Sequence, residues 1–580
     1  MKIAFDIETD GLNPTIIYCI AAKVIGQDVT EFWTPETVKF FPAWLVEIDA
    51  DTLIGHNIVG FDLPVMKKLL GFDWWGDIED TLIMSRLDNP SREKGQSLAS
   101  WGIRFNYPKG EFSDWTHYSQ EMKEYCIRDV EILDKLYRLM SSKNMSETAL
   151  SLEHEIAEIT HQQTLNGWKF DIRKASSLLA LLKQEMFIAE DEVRKVFTPL
   201  SVWMPLKQLK QTHKKDGGKT INYINQLAKG AYWRVDEGLK EEDEWGYYAY
   251  PEFNLGSRQQ IARYLQHFGW KPKQFTELGT PIVSEAVLKT IKIPEGKLIA
   301  KYLMLQKRLG LVSSWIDAVD KDDRIRGKVN TCGAVTGRMT HSSPNLAQVP
   351  ASHSPYGEDC RELFTVEEGY KLVGMDASGL ELRMLAHYMN DDDYTNEVIN
   401  GDIHTANQKA ANLKTRDNAK TFIYAFLYGA GDSKIGKITE GTAKDGKRLK
   451  KDFLKNTPSL KRLRNKVIRN AESGYLTGLD GRLLHIRSTH AALNTLLQSA
   501  GAIVMKRAVI LLTESCKKWK INYKLVGQVH DEIQVEVQEN QAEPFGDLAV
   551  HCIKQAGEDF KLNCPLDGNY KIGTTWRETH

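Results

Sequence analysis

The stretch GQVHDEIQVEV, residues 527–537, poses a problem of parity. Val529, Ile533, Val535 and Val537 share the apolar face of a half-buried strand, and Asp531 falls on that same face. A carboxylate buried there without a partner is costly enough to disturb its own ionisation. The conflict disappears if KLVGQV and EIQVEV are two strands of a hairpin with His530 and Asp531 at its tip. A second acid, Asp376 in LVGMDASGLELR (372–383), sits at a strand-to-helix junction, where capping the helix is its ordinary role. Two carboxylates about 4 Å apart repel by about 4 kcal/mol at an effective dielectric of about 20. If Asp376 and Asp531 meet in space, a divalent cation between them turns that repulsion into a binding site.

Between these acids lies RDNAKTFIYAFLYG, in which Arg416, Lys420, Tyr424 and Tyr428 recur every four residues. Each step along a helix rises about 6 Å, so the four line a stripe about 18 Å long, cationic at its start and aromatic at its end. A nucleoside triphosphate has the same polarity, with phosphates for the cations and a flat base for an aromatic face. A half-buried structural helix is the ordinary alternative, and it leaves both sets on one stripe unexplained. Further acids stand near the N-terminus. Strand alternation in IAFDIE turns Asp6 and Glu8 to one face, about 7 Å apart at Cα, as on a solvent-facing edge strand. Asp62 falls at a helix start, and Tyr125 and Asp129 share a helix face. Taken singly, each of these reads as structural.

The elements that must position these residues follow from pattern. Residues 1–146 alternate strands and helices, as in an α/β domain. Residues 150–198 are helical, 199–252 are irregular and read as an inserted or mobile segment, and helices return to about 318 before strands and helices mix to the end. At 580 residues, two or more domains are expected. The composition, 42% hydrophobic and 26% charged, is that of a globular chain. No signal peptide is expected from MKIAFDIETD, and no apolar run of membrane-spanning length is expected. Seven scattered cysteines without a metal-ligand spacing point to reduced thiols in a cytoplasm. The net charge of −1 excludes little, but a basic run from Lys444 to Arg469 is set against only Asp445 and Asp452. That run is open to two readings, a solvated helix face or a phosphate-binding surface. GTAKDGKR (441–448) and HKKDGGKT (213–220) fail as P-loops, at Arg448 and His213 respectively, which argues against an NTP-driven motor.

DxE on a first strand, an Asp after HN…FD, and YxxxD on a late helix resemble the DEDD-type 3′–5′ exonuclease pattern. DASGLELR, RDNAKTFIYAFLYGAG and VHDE resemble motifs A, B and C of family A (Pol I-type) DNA polymerases. AVTGRMTHSSPNLAQVP (334–350), NGDIHT (400–405), GLDGR (478–482) and HAALNTLLQSAGA (490–502) resemble the phage replicative branch of that family. The resemblance runs over nearly the whole chain. It implies an α/β and α+β multidomain fold, with an RNase H-like (DEDD) exonuclease domain at 1–146 and a right-hand polymerase at 147–580. Its thumb would span 150–320 with the insert 199–252, its palm 321–395 and 475–580, and its fingers 396–474.

Site roles follow from the same resemblance. Asp376 and Asp531, with the Ala377 carbonyl, would hold two Mg²⁺ for attack of a primer 3′-OH on a dNTP. His404, Arg416 and Lys420 would hold the triphosphate, Tyr424 would pack on the incoming nucleotide, and Tyr428 would pack beside the templating position. Glu381 would exclude a ribose 2′-OH. Arg338, Gln498 and His530 would contact primer–template near its terminus. Asp6, Glu8, Asp62 and Asp129 would hold two more divalent ions, magnesium or manganese by their oxygen donors, with Tyr125 positioning the attacking water. Implied partners are primer–template DNA, dNTPs, a replisome helicase/primase and a single-stranded DNA-binding protein, acting on a monomer in a host cytoplasm without membrane contact. A phage relative captures host thioredoxin through a longer thumb insertion that 199–252 does not match. Capture of a thioredoxin-like processivity factor, a DNA clamp through Lys207, Lys210, Lys214 and Lys215, and a plain surface loop all stay open for this segment. The alternatives for the whole chain are a Pol I-type repair polymerase or nuclease and, disfavoured by Glu381 and the exonuclease pattern, a single-subunit RNA polymerase.

Overall fold

Alternation of Ile3, Phe5 and Ile7 with Ala4, Asp6 and Glu8 builds strand β1 (Lys2–Thr9), and both of its faces are covered. β1 is no edge: it lies between β2 (Ile17–Val24), with β3 (Thr30–Trp33) outside it, and β4 (Thr52–Gly55), with β5 (Asp77–Asp80) beyond. The first three strands run antiparallel, whereas β4 and β5 are parallel to β1. Ile3, Phe5 and Ile7 pack around Phe41 on one face. On the other, helix α2 (Gln120–Ser141) lays Met122, Cys126, Val130 and Leu133 across the sheet. Ser119 caps α2 by accepting from the Met122 amide. Helix α1 (Asp62–Leu70) begins at Asp62, with Phe61 in the capping position.

The computed structural model describes residues 1–580 except 208, 210, 235–243 and 530. It divides into two compact units, residues 1–171 with 318–580, and residues 172–317. In the first unit, helix α3 (Glu147–Asn166) leads from the N-terminal sheet to a second sheet. That sheet contains β6 (Tyr370–Ala377), followed in the chain by helices α4 (Leu380–Met389), α5 (Ile403–Ala411), α6 (Arg416–Leu427) and α7 (Pro458–Ala471) and by the short strand β7 (Tyr475–Thr477). The long helix α8 (Ala492–Trp519) precedes strands β8 (Tyr523–Val529), β9 (Glu532–Gln538) and β10 (Gly568–Gly573). The order is β8-β9-β6-β10, antiparallel throughout.

The hairpin expected around Asp531 is present, β8 ending at Val529 and β9 starting at Glu532. Alternation predicts one buried face, and both faces of β9 are buried. Ile533, Val535 and Val537 join the main core with Val504, Phe545 and Ile553. Glu532, Gln534 and Glu536 face the C-terminal segment and Arg324, which satisfy them: Thr579 Oγ1 donates to Gln534 at 2.9 Å and Arg324 Nη2 to Glu536 at 2.9 Å. Gly374 makes room for this segment, since a Cβ there would lie 2.4 Å from the Thr579 carbonyl.

The expectation of no membrane-length apolar run is corrected by α8. Thr489–Trp519 has the length and composition of a span, but 78% of its apolar window is buried in the core. It also carries Lys506, 2% exposed, at the centre of an ionic knot. Lys506 and Arg482 both donate to Glu153 on α3, Arg482 also grips Asp480, and Lys506 donates to the Gly337 carbonyl at 2.8 Å. Burial works against the charge on Glu153, yet Lys506 and Arg482 hold its carboxyl down to about 2.

In the second unit, helices Ile172–Val196 and Pro294–Asp317 pack together. The stretch read as irregular contains three strands in the order Val202–Pro205, Glu244–Ala249, Tyr232–Arg234. Trp203 packs edge-on against Tyr232 and Tyr248. Strands this short show no periodicity to read. Lys210 lies outside the described residues.

Candidate active sites

β6 runs out of the sheet at Asp376, which pairs across with Glu532 on one side and Asn569 on the other. The β8–β9 turn brings Asp531 to the same end, and the two acids line one cavity of about 580 Å³ with Arg361, Lys571 and His580. Asp376 does not cap α4, whose capping position is Gly379. Its carboxyl is pushed up to about 7, by burial first and by the charge of Asp531 second. Glu532 and Glu381 add to that push and His580 opposes it. Glu532 itself is engaged. Burial works against its charge, but His580 Nδ1 at 2.8 Å and the Trp576 Nε1 donor hold its pKa below the usual value. The sheet end thus presents two acids of which one raises the pKa of the other, backed by a third that is already neutralised.

α6 stands over this end. Thr415 caps it through the Asn418 amide, and Phe422, Ile423 and Phe426 bury its inner face against Phe453. Its other face carries the expected stripe. Tyr424 and Tyr428 have ring centroids 6.4 Å apart, and the His404 ring lies 6.3 Å from Tyr424. Glu381 and Asp531 both push the Tyr424 hydroxyl up after burial does, which ties the stripe to the carboxylate pair. Burial, then the charges of Arg416 and Lys420, lower the His404 pKa, and its Nδ1 is buried without a partner. The imidazole is therefore neutral at pH 7 and has a hydrogen bond still to make.

Glu381, on the first turn of α4, accepts from the Tyr428 hydroxyl at 3.2 Å and lies 3.5 Å from Arg338 Nη2. Burial and Glu381 push the Tyr428 hydroxyl up to about 12. Gln498 lies on α8 one turn before Ala502, which lines a small cavity with Arg338. His530 lies outside the described residues. Arg416 engages Asp402 in a fork, Nε to Oδ2 at 2.7 Å and Nη2 to Oδ1 at 3.1 Å. Asp402, the cap of α5, is pulled well below the usual carboxylate range by Arg416 and then Thr405. Sequence reasoning missed Asp402, although a cap residue three positions before Thr405 was there to be seen.

The N-terminal acids also converge. Asp6 and Glu8 on β1, Asp62 on α1 and Asp129 on α2 sense one another's charge. Burial, followed by Glu8 and Asp129, drives Asp6 well above the usual range. Glu8 is pushed to about 8, Asp62 to about 7 and Asp129 to about 6, burial leading in each. Glu8 Oε1 and Asp129 Oδ1 are buried without a hydrogen-bond partner, and atoms of Asp6, Glu8 and Cys126 lie within 4.8 Å of one another. Orphaned carboxylate oxygens in a protonation-raising cluster fit hard divalent cations. The cation present is Lys109, paired with Asp129 and set 4.3 Å over the Tyr125 ring. Lys109 was not anticipated; it sits in an irregular stretch without a motif.

Residues 226–578 match the family model of DNA polymerase family A. The chain is similar to the DNA-directed DNA polymerase of Enterobacteria phage T3, 34% identical over 93% of this chain and 95% of that one. It is also similar to that of Escherichia phage T7, 33% identical over 97% and 100%. In fold it resembles the POL domain of Pol1 from M. smegmatis, solved in complex with DNA primer-template and dNTP, with a TM-score of 0.76 and 18% identity over 99% of this chain and 95% of that one.

Proposed function

Because the chain belongs to DNA polymerase family A, it is a template-directed DNA polymerase, and we propose that Asp376 and Asp531 are the carboxylates on which nucleotide addition turns. One observation carries this reading: Asp376 and Asp531 line one cavity at the end of one sheet, and the charges of Asp531 and Glu381 push up both the Asp376 carboxyl and the Tyr424 hydroxyl of α6. Primer–template DNA and dNTPs are the partners, as in the solved relative. Divalent cations, magnesium or manganese by donor type, bound in pairs at Asp376, Asp531 and the Ala377 carbonyl and at the N-terminal acids, would supply activation of the attacking oxygen and neutralisation of the leaving one.

The chain's own residues do the rest. Arg416 exchanges the Asp402 carboxylate for phosphate oxygens, both being fork partners for a guanidinium. Lys420 adds charge, and neutral His404 offers its unpartnered nitrogen to the triphosphate. Tyr424 packs on the incoming base and sugar, with Tyr428 beside the templating position. Glu381, pinned by Tyr428 and Arg338, cannot swing aside for a ribose 2′-OH. Arg338, Gln498 and His530 read minor-groove acceptors that every correct pair presents.

Residues 1–146 are an RNase H-like 3′–5′ exonuclease domain in this reading, supported by the mixed sheet and its four converging acids. Tyr125, held by Lys109, orients the attacking water. Thumb 150–320, palm 321–395 with 475–580, and fingers 396–474 complete a proofreading replicative enzyme. A helicase, a primase and a single-stranded DNA-binding protein would work beside it in the host cytoplasm. Primer extension with magnesium tests the assignment. Asp531→Asn should abolish extension and keep 3′ degradation, while Asp6→Asn should do the reverse. Extension that survives in Asp531→Asn sinks it.

A further inference from the structure

The fold splits the basic run of the sequence. α7 turns Leu460, Leu463, Val467 and Ala471 into the core. Its outer side sets Arg462, Lys466 and Arg469 along an open groove of about 710 Å³. The three cations step by about 6 Å and then about 4.5 Å along one helix face, the spacing of a track rather than of one pocket. Tyr388, near the end of α4, and Tyr475, opening β7 and 47% exposed, line the same groove. Among the described residues that line it none is acidic. Asp391, whose carboxyl senses Arg462, is held by Ser459 and by the Tyr394 amide it caps.

We propose that this groove carries the unpaired template strand, its phosphates on Arg462, Lys466 and Arg469 and its bases against Tyr388 and Tyr475. The inference rests on the polymerase reading above. Cations interleaved with aromatic rings suit a single strand, whose base faces are free to stack; a duplex hides those faces. An acidic protein segment would use the cations and leave the rings idle. α4 links groove to nucleotide site. From Glu381 to Tyr388 the helix rises about 10 Å, so a strand in the groove is a few nucleotides from the templating position.

The test uses the full chain and a fluorescent hairpin primer–template, blunt or with a ten-nucleotide 5′ overhang, in anisotropy titrations over a salt series. The overhang should tighten wild-type binding by about tenfold. Arg462→Gln/Lys466→Gln/Arg469→Gln should lose that gain and bind the blunt hairpin as before. Its log Kobs against log salt for overhang DNA should flatten by about 2, at about 0.7 for each single-strand phosphate that is no longer neutralised. Tyr475→Ala should reduce the overhang gain with the salt slope unchanged. An overhang gain that survives in the triple variant overturns the proposal. So does the absence of any gain, with a labelled poly-glutamate peptide bound by wild type and not by the variant. One-nucleotide extension of a short-overhang hairpin, run on the same samples, tests the polymerase reading separately and should be alike in all three proteins.

Discussion

Lys109 pairs with Asp129, which is 1% exposed, and its removal allows a quantitative test of the N-terminal acid cluster. Lys109→Met leaves Asp129 two options. Staying ionised and unpaired costs about 3–5 kcal/mol. Taking up a proton is cheaper: with a folded pKa of about 6, protonation at about pH 7.5 costs about 2 kcal/mol, at about 1.36 kcal/mol per pH interval. Protonation therefore sets the ceiling. The sign follows from linkage. Asp129 titrates higher in the folded protein than in the unfolded one, and higher again without Lys109, so the variant's deficit is nearly absent below pH 6 and grows with pH above it until the variant's own, higher pKa is reached. Urea unfolding in EDTA should show Lys109→Met less stable than wild type by up to about 2 kcal/mol near pH 7.5 and by little near pH 5. Millimolar magnesium should shrink the deficit by returning positive charge to the cluster. A deficit equal at both pH values and indifferent to magnesium would refute the picture of acids held together by one lysine.

Two further outcomes are expected. Glu153→Ala removes the anion of Lys506 and one of the two carboxylate partners of Arg482 in the core, and should lower stability by about 3–5 kcal/mol in urea or thermal unfolding. Tyr424→Phe should raise discrimination against dideoxynucleotides by about tenfold or more in primer extension, since the tyrosine hydroxyl can occupy the place of a missing 3′-OH. Equal use of chain terminators by both proteins would show that the hydroxyl has no such role.

Local conflict made part of this molecule legible. An acid on an apolar parity announced the β8–β9 turn, and the four-residue recurrence of Arg416, Lys420, Tyr424 and Tyr428 announced α6. Covered faces were harder to read. Asp6 and Glu8 look solvent-facing by alternation, and only the place of β1 inside its sheet, with α2 across it, buries them. α8 escaped notice as an apolar span because Lys506 and neighbouring charges interrupt its text, while Glu153, which neutralises Lys506, is 353 residues away. Lys109, Asp402 and His580 act through Asp129, Arg416 and Glu532, each on a different element, and no periodicity encodes such meetings.

The knot of Glu153, Arg482 and Lys506 decides how this enzyme can be cut down. α3 follows residues 1–146 in the chain, yet it supplies the anion for two cations that lie more than three hundred residues further on. A shortened version starting near residue 147 keeps its internal neutrality and should remain a workable engine. One starting twenty residues later leaves Lys506 without its anion and Arg482 with Asp480 alone. Residues 1–146 are thus separable from the rest of the chain in this respect, but the helix that follows them is not.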